Sequence, residues 1–211
     1  MYTELETLLN RKNQRLVCCD NEWPVPGPHR HIAYIRHDVE PPVDAQTLDD
    51  IRKQVGDLPE ILAFYQRYGS VRLYADTIGD GSAFFIAPPA DWAGLKECFT
   101  GWIEHLDEDE RSECLPEWID DCLVIGEVPQ SGNYFLLPLM GADRGKIIEF
   151  EHDGFEFIER GPNMAVFMAT LCTVTKELLN EILGHTRYWD GQTGIQWLCE
   201  EYHYDEPPVE G

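Results

Sequence analysis

Four short apolar segments follow one another between residues 121 and 160, and they constrain the fold more than any other feature of the sequence. They read "DCLVIGEV", "NYFLLPLM", "GKIIEFEHD" and "FEFIER", and only a few turn residues separate each from the next. Segments of this length and apolar content are typical of β-strands. Because such short connections join antiparallel neighbours, the pattern predicts an antiparallel meander of four strands.

Two further strands are predicted earlier in the chain, at "SVRLYAD" and "SAFFIAP", on either side of the turn "TIGDGS". Thr3 and Glu6 fit a capping box that would begin a first helix. Helical spacing of apolar residues predicts helices over residues 3–12, 44–55, 59–68, 91–106, 162–172, 173–183 and 193–204. The expected fold class is therefore α+β, with a mostly antiparallel sheet of about six strands flanked by helices.

Two polar stretches are predicted to lie outside this framework. Residues 21–44 are rich in Pro and His and are interpreted as a connector with a short strand at "HIAYIRH", and "DEDERSE" is interpreted as a solvated loop. The predicted organisation has three parts: an N-terminal extension packing on the domain (1–43), an α+β core (44–174), and a C-terminal helical extension with a tail (175–211).

Charge and cysteine content restrict the expected partners and compartment. The chain has 16 Lys and Arg and 39 Asp and Glu, which gives a net charge of −23. Such a chain repels nucleic acid and anionic membranes and accelerates encounter with a basic protein. The seven cysteines are scattered, and the first residues carry acids instead of an apolar export signal. Reduced thiols and a cytoplasmic location are therefore expected.

The adjacent residues His152 and Asp153 raise the question of a catalytic or metal site. They are followed by Gly154, and Asp-Gly favours a hairpin turn. Neighbouring side chains on a strand also diverge. The pair is therefore predicted to be a turn. Cys18 and Cys19 are adjacent, whereas paired zinc ligands are usually two to four residues apart. The sequence thus predicts no catalytic residue, no metal ligand and no cofactor.

The tryptophans divide into two groups by their surroundings. Trp92 and Trp102 lie on the apolar stripe of the helix predicted over 91–106, so both are expected to pack in the core. Trp23, Trp189 and Trp197 lie near Pro, Gly or acidic residues or off their stripe. Exposed aromatic residues beside acids are typical of protein-binding surfaces, but a tail packed on the core would bury them equally well.

Three features of the sequence occur together. A helix is predicted to open with Leu58-Pro59 and to end in Tyr68-Gly69. A hairpin of the form "IGE…GNYF" spans 125–135. A strand "GKIIEFEHD" precedes a helix that contains Phe167. In these features the chain resembles the SUKH superfamily, in the branch that holds fungal Knr-type cell-wall regulators and many bacterial toxin-immunity proteins. The resemblance covers about 44–174, and Ser70 stands where the family often has a second glycine.

This resemblance implies a SUKH-like α+β fold without known catalytic residues, and bacterial members that neutralise toxins, often nucleases. The hypothesis is a cytoplasmic immunity protein that binds a basic toxin. The alternatives are a Knr-type regulatory scaffold, or an enzyme whose site would use His152, His185 and Asp190. The candidate partner-binding residues are Asp76, Asp80, Glu104, Asp107, Glu108, Asp109, Trp197 and Tyr204.

Overall fold

One antiparallel sheet of nine strands runs through the described part of the chain, residues 2–22, 25–79, 81–185 and 197–205 of a computed structural model. The strands are β1 (Lys12–Glu22), β2 (Val25–Val39), β3 (Val71–Asp76), β4 (Phe84–Ile86), β5 (Cys122–Val128), β6 (Asn133–Pro138), β7 (Ile147–Glu151), β8 (Glu156–Gly161) and β9 (Trp197–Asp205). The helices are α1 (Thr3–Asn10), α2 (Ala45–Val55), α3 (Pro59–Tyr65), α4 (Trp92–Ile103), α5 (Glu108–Cys114), α6 (Met164–Cys172) and α7 (Lys176–His185).

The strand order is β8-β7-β6-β5-β4-β3-β2-β1-β9, so eight strands follow one another in sequence and the last strand pairs with the first. The α+β class and the antiparallel sheet are confirmed, and β3 to β8 are the six predicted strands. The expected number of about six strands is wrong, because β1, β2 and β9 also belong to the sheet. The boundaries predicted at residues 43 and 174 do not interrupt it, since β2 pairs with β3 and β9 pairs with β1.

Several local predictions are wrong. Residues 21–44, interpreted as a connector, contain β2, and the short strand expected at "HIAYIRH" lies within β2. A helix is predicted over 193–204, but residues 197–205 form β9 because they pair with β1 over seven register positions, and residues 193–196 lie outside the described part of the chain. The acidic stretch 107–113, interpreted as a loop, contains most of α5. Thr3 is also not a capping residue, since α1 begins after Tyr2 and its start has no side-chain cap.

Gly69 is predicted to end the helix over 59–68. In the structure it allows two backbone segments to pack closely instead. Helix α3 ends at Tyr65, four residues earlier. A Cβ at Gly69 would lie 2.4 Å from the carbonyl oxygen of Pro41. The Gly69 amide instead donates a 3.0 Å hydrogen bond to the carbonyl of Glu40. This contact ties the segment after α3 to the segment before α2.

Two apolar clusters lie on opposite faces of the sheet. The larger one packs α1, α2, α3, α6 and α7 against strand residues such as Phe135 and Ile147. The second packs Phe99 and Ile103 of α4 against strand residues such as Leu136. Because successive strand side chains alternate between faces, β6 supplies both clusters and is buried at all six positions.

A hydrogen-bonded network joins four strands on the N-terminal side of the sheet. His37 Nδ1 accepts a 3.1 Å hydrogen bond from the backbone amide of Tyr74, a residue with a φ of 52°. The other ring nitrogen therefore carries the proton and lies 2.8 Å from Gln14 Oε1. The Tyr202 hydroxyl donates to the same oxygen. Burial and the Arg11 guanidinium lower the pKa of His37 to about 3.

This network makes stability depend on pH. The folded-state pKa of His37 lies below its ordinary value of 6.5, so the unfolded chain takes up the proton first as the pH falls. The contribution of His37 to the free energy of unfolding is complete above pH 6.5. It is lost between 6.5 and 3, at up to about 1.4 kcal/mol per pH unit. We expect the free energy of unfolding of His37→Gln, measured by urea denaturation, to fall less between about pH 8 and pH 5 than that of the unsubstituted protein. If the free energy of unfolding fell equally in the two proteins over this pH range, the lowered pKa of His37 would be contradicted.

Candidate interaction surface

Ten carboxylate side chains are exposed in a single stretch of 25 residues that includes most of α4, all of α5 and the turn before β5. Arg111 is the one Lys or Arg in this stretch. The ten acids are Glu97, Glu104, Asp107, Glu108, Asp109, Glu110, Glu113, Glu117, Asp120 and Asp121. We call these side chains the acidic surface. It carries a large share of the net charge of −23.

Helix α5 forms although none of its residues is buried, and its first turn explains why. The Asp107 carboxylate accepts a 2.9 Å hydrogen bond from the Glu110 amide, and the Glu110 carboxylate accepts a 3.0 Å bond from the Asp107 amide. This reciprocal capping box satisfies free amides, and acidic groups in a first turn also stabilise a helix electrostatically. The acids of α5 therefore shape this part of the surface as well as charging it.

Arg111 attaches α5 to the end of α4. Its guanidinium donates a 3.2 Å hydrogen bond to the carbonyl of Ile103 and a 3.3 Å bond to the carboxylate of Asp120. Ile103 is buried in the second apolar cluster, and Leu106 and Leu115, which flank α5, are partly buried against the same cluster. Arg111 and these two residues therefore hold α5 on the sheet, although no residue of α5 itself is buried.

Trp102 lies within the same stretch and is 44% exposed. Its ring packs on His152 with 4.8 Å between ring centroids. Gly132 lies beneath it at a φ of 85°, where a Cβ would be 2.9 Å from the indole. One indole face is therefore fixed on the protein while a large part of the ring faces solvent.

The turn after β7 supplies His152. The prediction of a turn is confirmed, but the details differ: the Glu151 carboxylate accepts hydrogen bonds from the amides of Asp153 and Gly154, and Phe155 has the positive φ. The prediction that the two side chains diverge is wrong. His152 Nε2 lies 3.0 Å from the Asp153 carboxylate, because the residues lie in a turn and not in a strand.

Glu151, His152 and Asp153 have possible metal-ligand atoms within 4.8 Å of one another. The turn accounts for this proximity without an ion. The carboxylate of Glu151 holds two backbone amides, and the imidazole of His152 contacts both Asp153 and Asn133. We therefore assign no metal site to these three residues.

Buried polar residues hold His152 in place from below. Its Nδ1 lies 3.0 Å from Asn133 Oδ1, and Asn133 Nδ2 donates a 2.9 Å hydrogen bond to the Glu149 carboxylate. Arg160 pairs with that carboxylate at 3.2 Å and with Glu181 of α7 at 2.5 Å. Because Asn133 and Glu149 are 1% and 4% exposed, these bonds are shielded from water and have demanding geometry. The support under Trp102 is thereby rigid.

The residues predicted from sequence to bind a partner do not lie together in the structure. Glu104, Asp107, Glu108 and Asp109 are exposed on the acidic surface. Asp76 is 2% exposed, so its expected place on an exposed loop is wrong; its carboxylate accepts the Ile78 amide in the turn after β3.

The remaining candidates lie elsewhere or outside the description. Tyr204 is in β9, where the Arg11 guanidinium lies 4.1 Å from its ring centroid. Seven strand spacings separate β9 from β7, roughly 30 Å, so Tyr204 and the turn at His152 belong to different surfaces. Asp80, Asp190 and the side chain of Trp197 lie outside the part of the chain that the structure describes. The same is true of the His185 side chain and of Trp23 and Trp189.

Trp92 and Trp102 differ in the exposed fraction of their side chains, so replacing each should change the free energy of unfolding by a different amount. Trp92 is 3% exposed, as expected, whereas the core position predicted for Trp102 is wrong. We expect Trp92→Ala to lower the free energy of unfolding by about 3–5 kcal/mol and Trp102→Ala by about 1–2 kcal/mol. Urea denaturation of both variants measures the difference. Equal losses would show that Trp102 is a core residue and not a surface one.

No helix in the described residues is both long and apolar enough to cross a bilayer. No protein-family model matches the sequence, and no curated protein matches it. The functional argument for this chain therefore starts from its own surface: an aromatic residue fixed on one face and surrounded in sequence by exposed carboxylates.

Proposed function

We propose that this chain is a non-catalytic binding protein that covers a basic surface of a protein partner, as an immunity protein covers its toxin. The observation that carries the proposal is the acidic surface together with Trp102. Ten exposed carboxylates and a 44% exposed tryptophan occupy one short stretch of chain. The SUKH resemblance of residues 44–174 points to the same function.

The charge supports a basic partner. Proteins that grip nucleic acid present Lys and Arg to phosphate, and an acidic surface is complementary to such a site. Attraction over a long range raises the association rate and falls with ionic strength. A nuclease toxin domain has this chemistry, and occupation of its phosphate-binding surface would inhibit it without any bond-breaking step.

Trp102 supplies what charge alone lacks, which is a specific anchor. Large aromatic residues dominate the binding energy of many interfaces, particularly where neighbouring groups exclude water. The free part of the indole is suited to a guanidinium or ammonium group, since cations bind aromatic rings. The Asp153 carboxylate lies 3.0 Å from the imidazole of His152, the ring on which Trp102 packs, so it can add a carboxylate to the same contact.

A charge-neutralising variant tests the proposal. Asp107→Asn, Glu108→Gln and Asp109→Asn together remove three charges, and Asn retains the ability to cap α5. The matched control is Asp49→Asn, Asp50→Asn and Asp57→Asn, which removes three exposed acids at and beyond α2. The tagged chain is used to capture partners from its own cell, and the affinity of each identified partner is titrated between about 50 and 200 mM salt.

We expect a basic partner whose affinity falls as salt rises. The three substitutions after α4 should weaken binding about tenfold or more, and Trp102→Ala about 10- to 100-fold, while the control stays within about threefold. Equal effects of the two triple variants would remove the role assigned to the acidic surface. Loss of the partner's toxicity on binding indicates immunity, whereas an endogenous partner that keeps its activity indicates Knr-type regulation.

A further inference from the structure

Cys18 and Cys199 face each other at one edge of the sheet, where β9 pairs with β1. They are partners in the antiparallel register, directly after a register shift between Val17 and Cys18. Opposite residues in such a pair have Cα atoms about 4.5 or 5.5 Å apart, and both values lie within the range that a disulfide spans. Neither cysteine is in a disulfide in the structure.

The two thiols also point to the same face. Both cysteines belong to the larger apolar cluster, at 1% and 9% exposure. The Cys18 thiol donates to the carbonyl of Leu16 at 3.8 Å and the Cys199 thiol to the carbonyl of Glu201 at 3.5 Å. The nearby Cys199 thiol and burial raise the pKa of the Cys18 thiol. Cys19 differs, because it is opposite Leu198 and neighbouring residues of a strand point to opposite faces.

We propose that Cys18 and Cys199 are a modification site at which a peroxide forms a cross-strand disulfide. One thiolate attacks a peroxide oxygen, the O–O bond breaks, and the departing hydroxide takes up a proton to give water and a sulfenic acid. The second sulfur then attacks the first, the S–S bond forms, and a second water leaves. The thiol pair loses two electrons, and the peroxide is reduced to two waters.

This bond would fix the outermost strand of the sheet. Strand β9 pairs only with β1 among the described strands, so its other side has no ladder partner. Helix α7 packs on β9, and its residues Leu178 and Ile182 lie in the same cluster as the two cysteines. A disulfide between β1 and β9 therefore holds both β9 and α7 on the sheet. The raised pKa of the Cys18 thiol makes the reaction slow while the strands stay paired.

The test uses the full chain with Cys98→Ser and Cys114→Ser, which removes the two exposed thiols and prevents links between molecules. The reduced protein is treated with hydrogen peroxide. In parallel it is refolded from urea in a mixture of reduced and oxidised glutathione, where burial does not restrict access. Digestion without reductant followed by mass spectrometry identifies linked peptides. Further substitution of Cys199→Ser removes the pair, and Cys172→Ser is the control at another buried thiol.

We expect a peptide linked through Cys18 and Cys199, a mass lower by two hydrogens, and an unfolding midpoint shifted to higher urea concentration. The shift should persist in the Cys172→Ser protein and be absent from the Cys199→Ser protein. Linkage in the peroxide reaction supports the proposal, whereas linkage found only after refolding in glutathione would overturn the peroxide step. Its absence from both reactions, or links that join Cys18 or Cys199 to another cysteine, would overturn it. The proposal is independent of partner binding.

Discussion

Burial of the central strands on both faces is the constraint on which the rest of the structure depends. Strand β6 has no exposed residue, because one set of its side chains meets α6 and the neighbouring helices while the other set meets α4. Strands covered in this way have little room for polar groups that act on other molecules. Exposed polar groups lie instead on outer strands such as β2 and β8, on the outer sides of helices and in turns, and the acidic surface and the turn at His152 occupy helices and turns.

The sequence predicted the parts of the fold that depend on local pattern. Strands β3 to β8 have apolar residues, and short turns join β3 to β4 and each of β5 to β8 to the next. Helices α2, α4 and α6 have clear apolar spacing or capping residues. Strand β9 was missed because Leu198, Cys199 and Tyr202 also fit a helical stripe, and its conformation is decided by pairing with β1 at the far end of the chain. Helix α5 was missed because it has no apolar face; reciprocal hydrogen bonds between Asp107 and Glu110 begin it.

The candidate surface was predicted only in part for similar reasons. Acids that follow an amphipathic helix are expected to be exposed, and Glu104, Asp107, Glu108 and Asp109 are. Trp102 is one residue before the buried Ile103, so its side chain projects about 100° away around the helix, toward the turn that carries His152. Its spacing alone fits an apolar stripe. The missing information was tertiary: the position of Gly132 and the polar residues that support His152.

The pairing of β1 with β9 has a consequence for biosynthesis. Contacts such as that between Asn13 and Asp205 join residues 192 positions apart, so β1 has one open side until synthesis has passed β9. At typical ribosomal speeds of about 5–20 residues per second, this delay lasts on the order of ten seconds or more. During that time the emerging hairpin β1–β2 presents an unprotected edge, and a chaperone or a neighbouring nascent chain could occupy the place that β9 later takes.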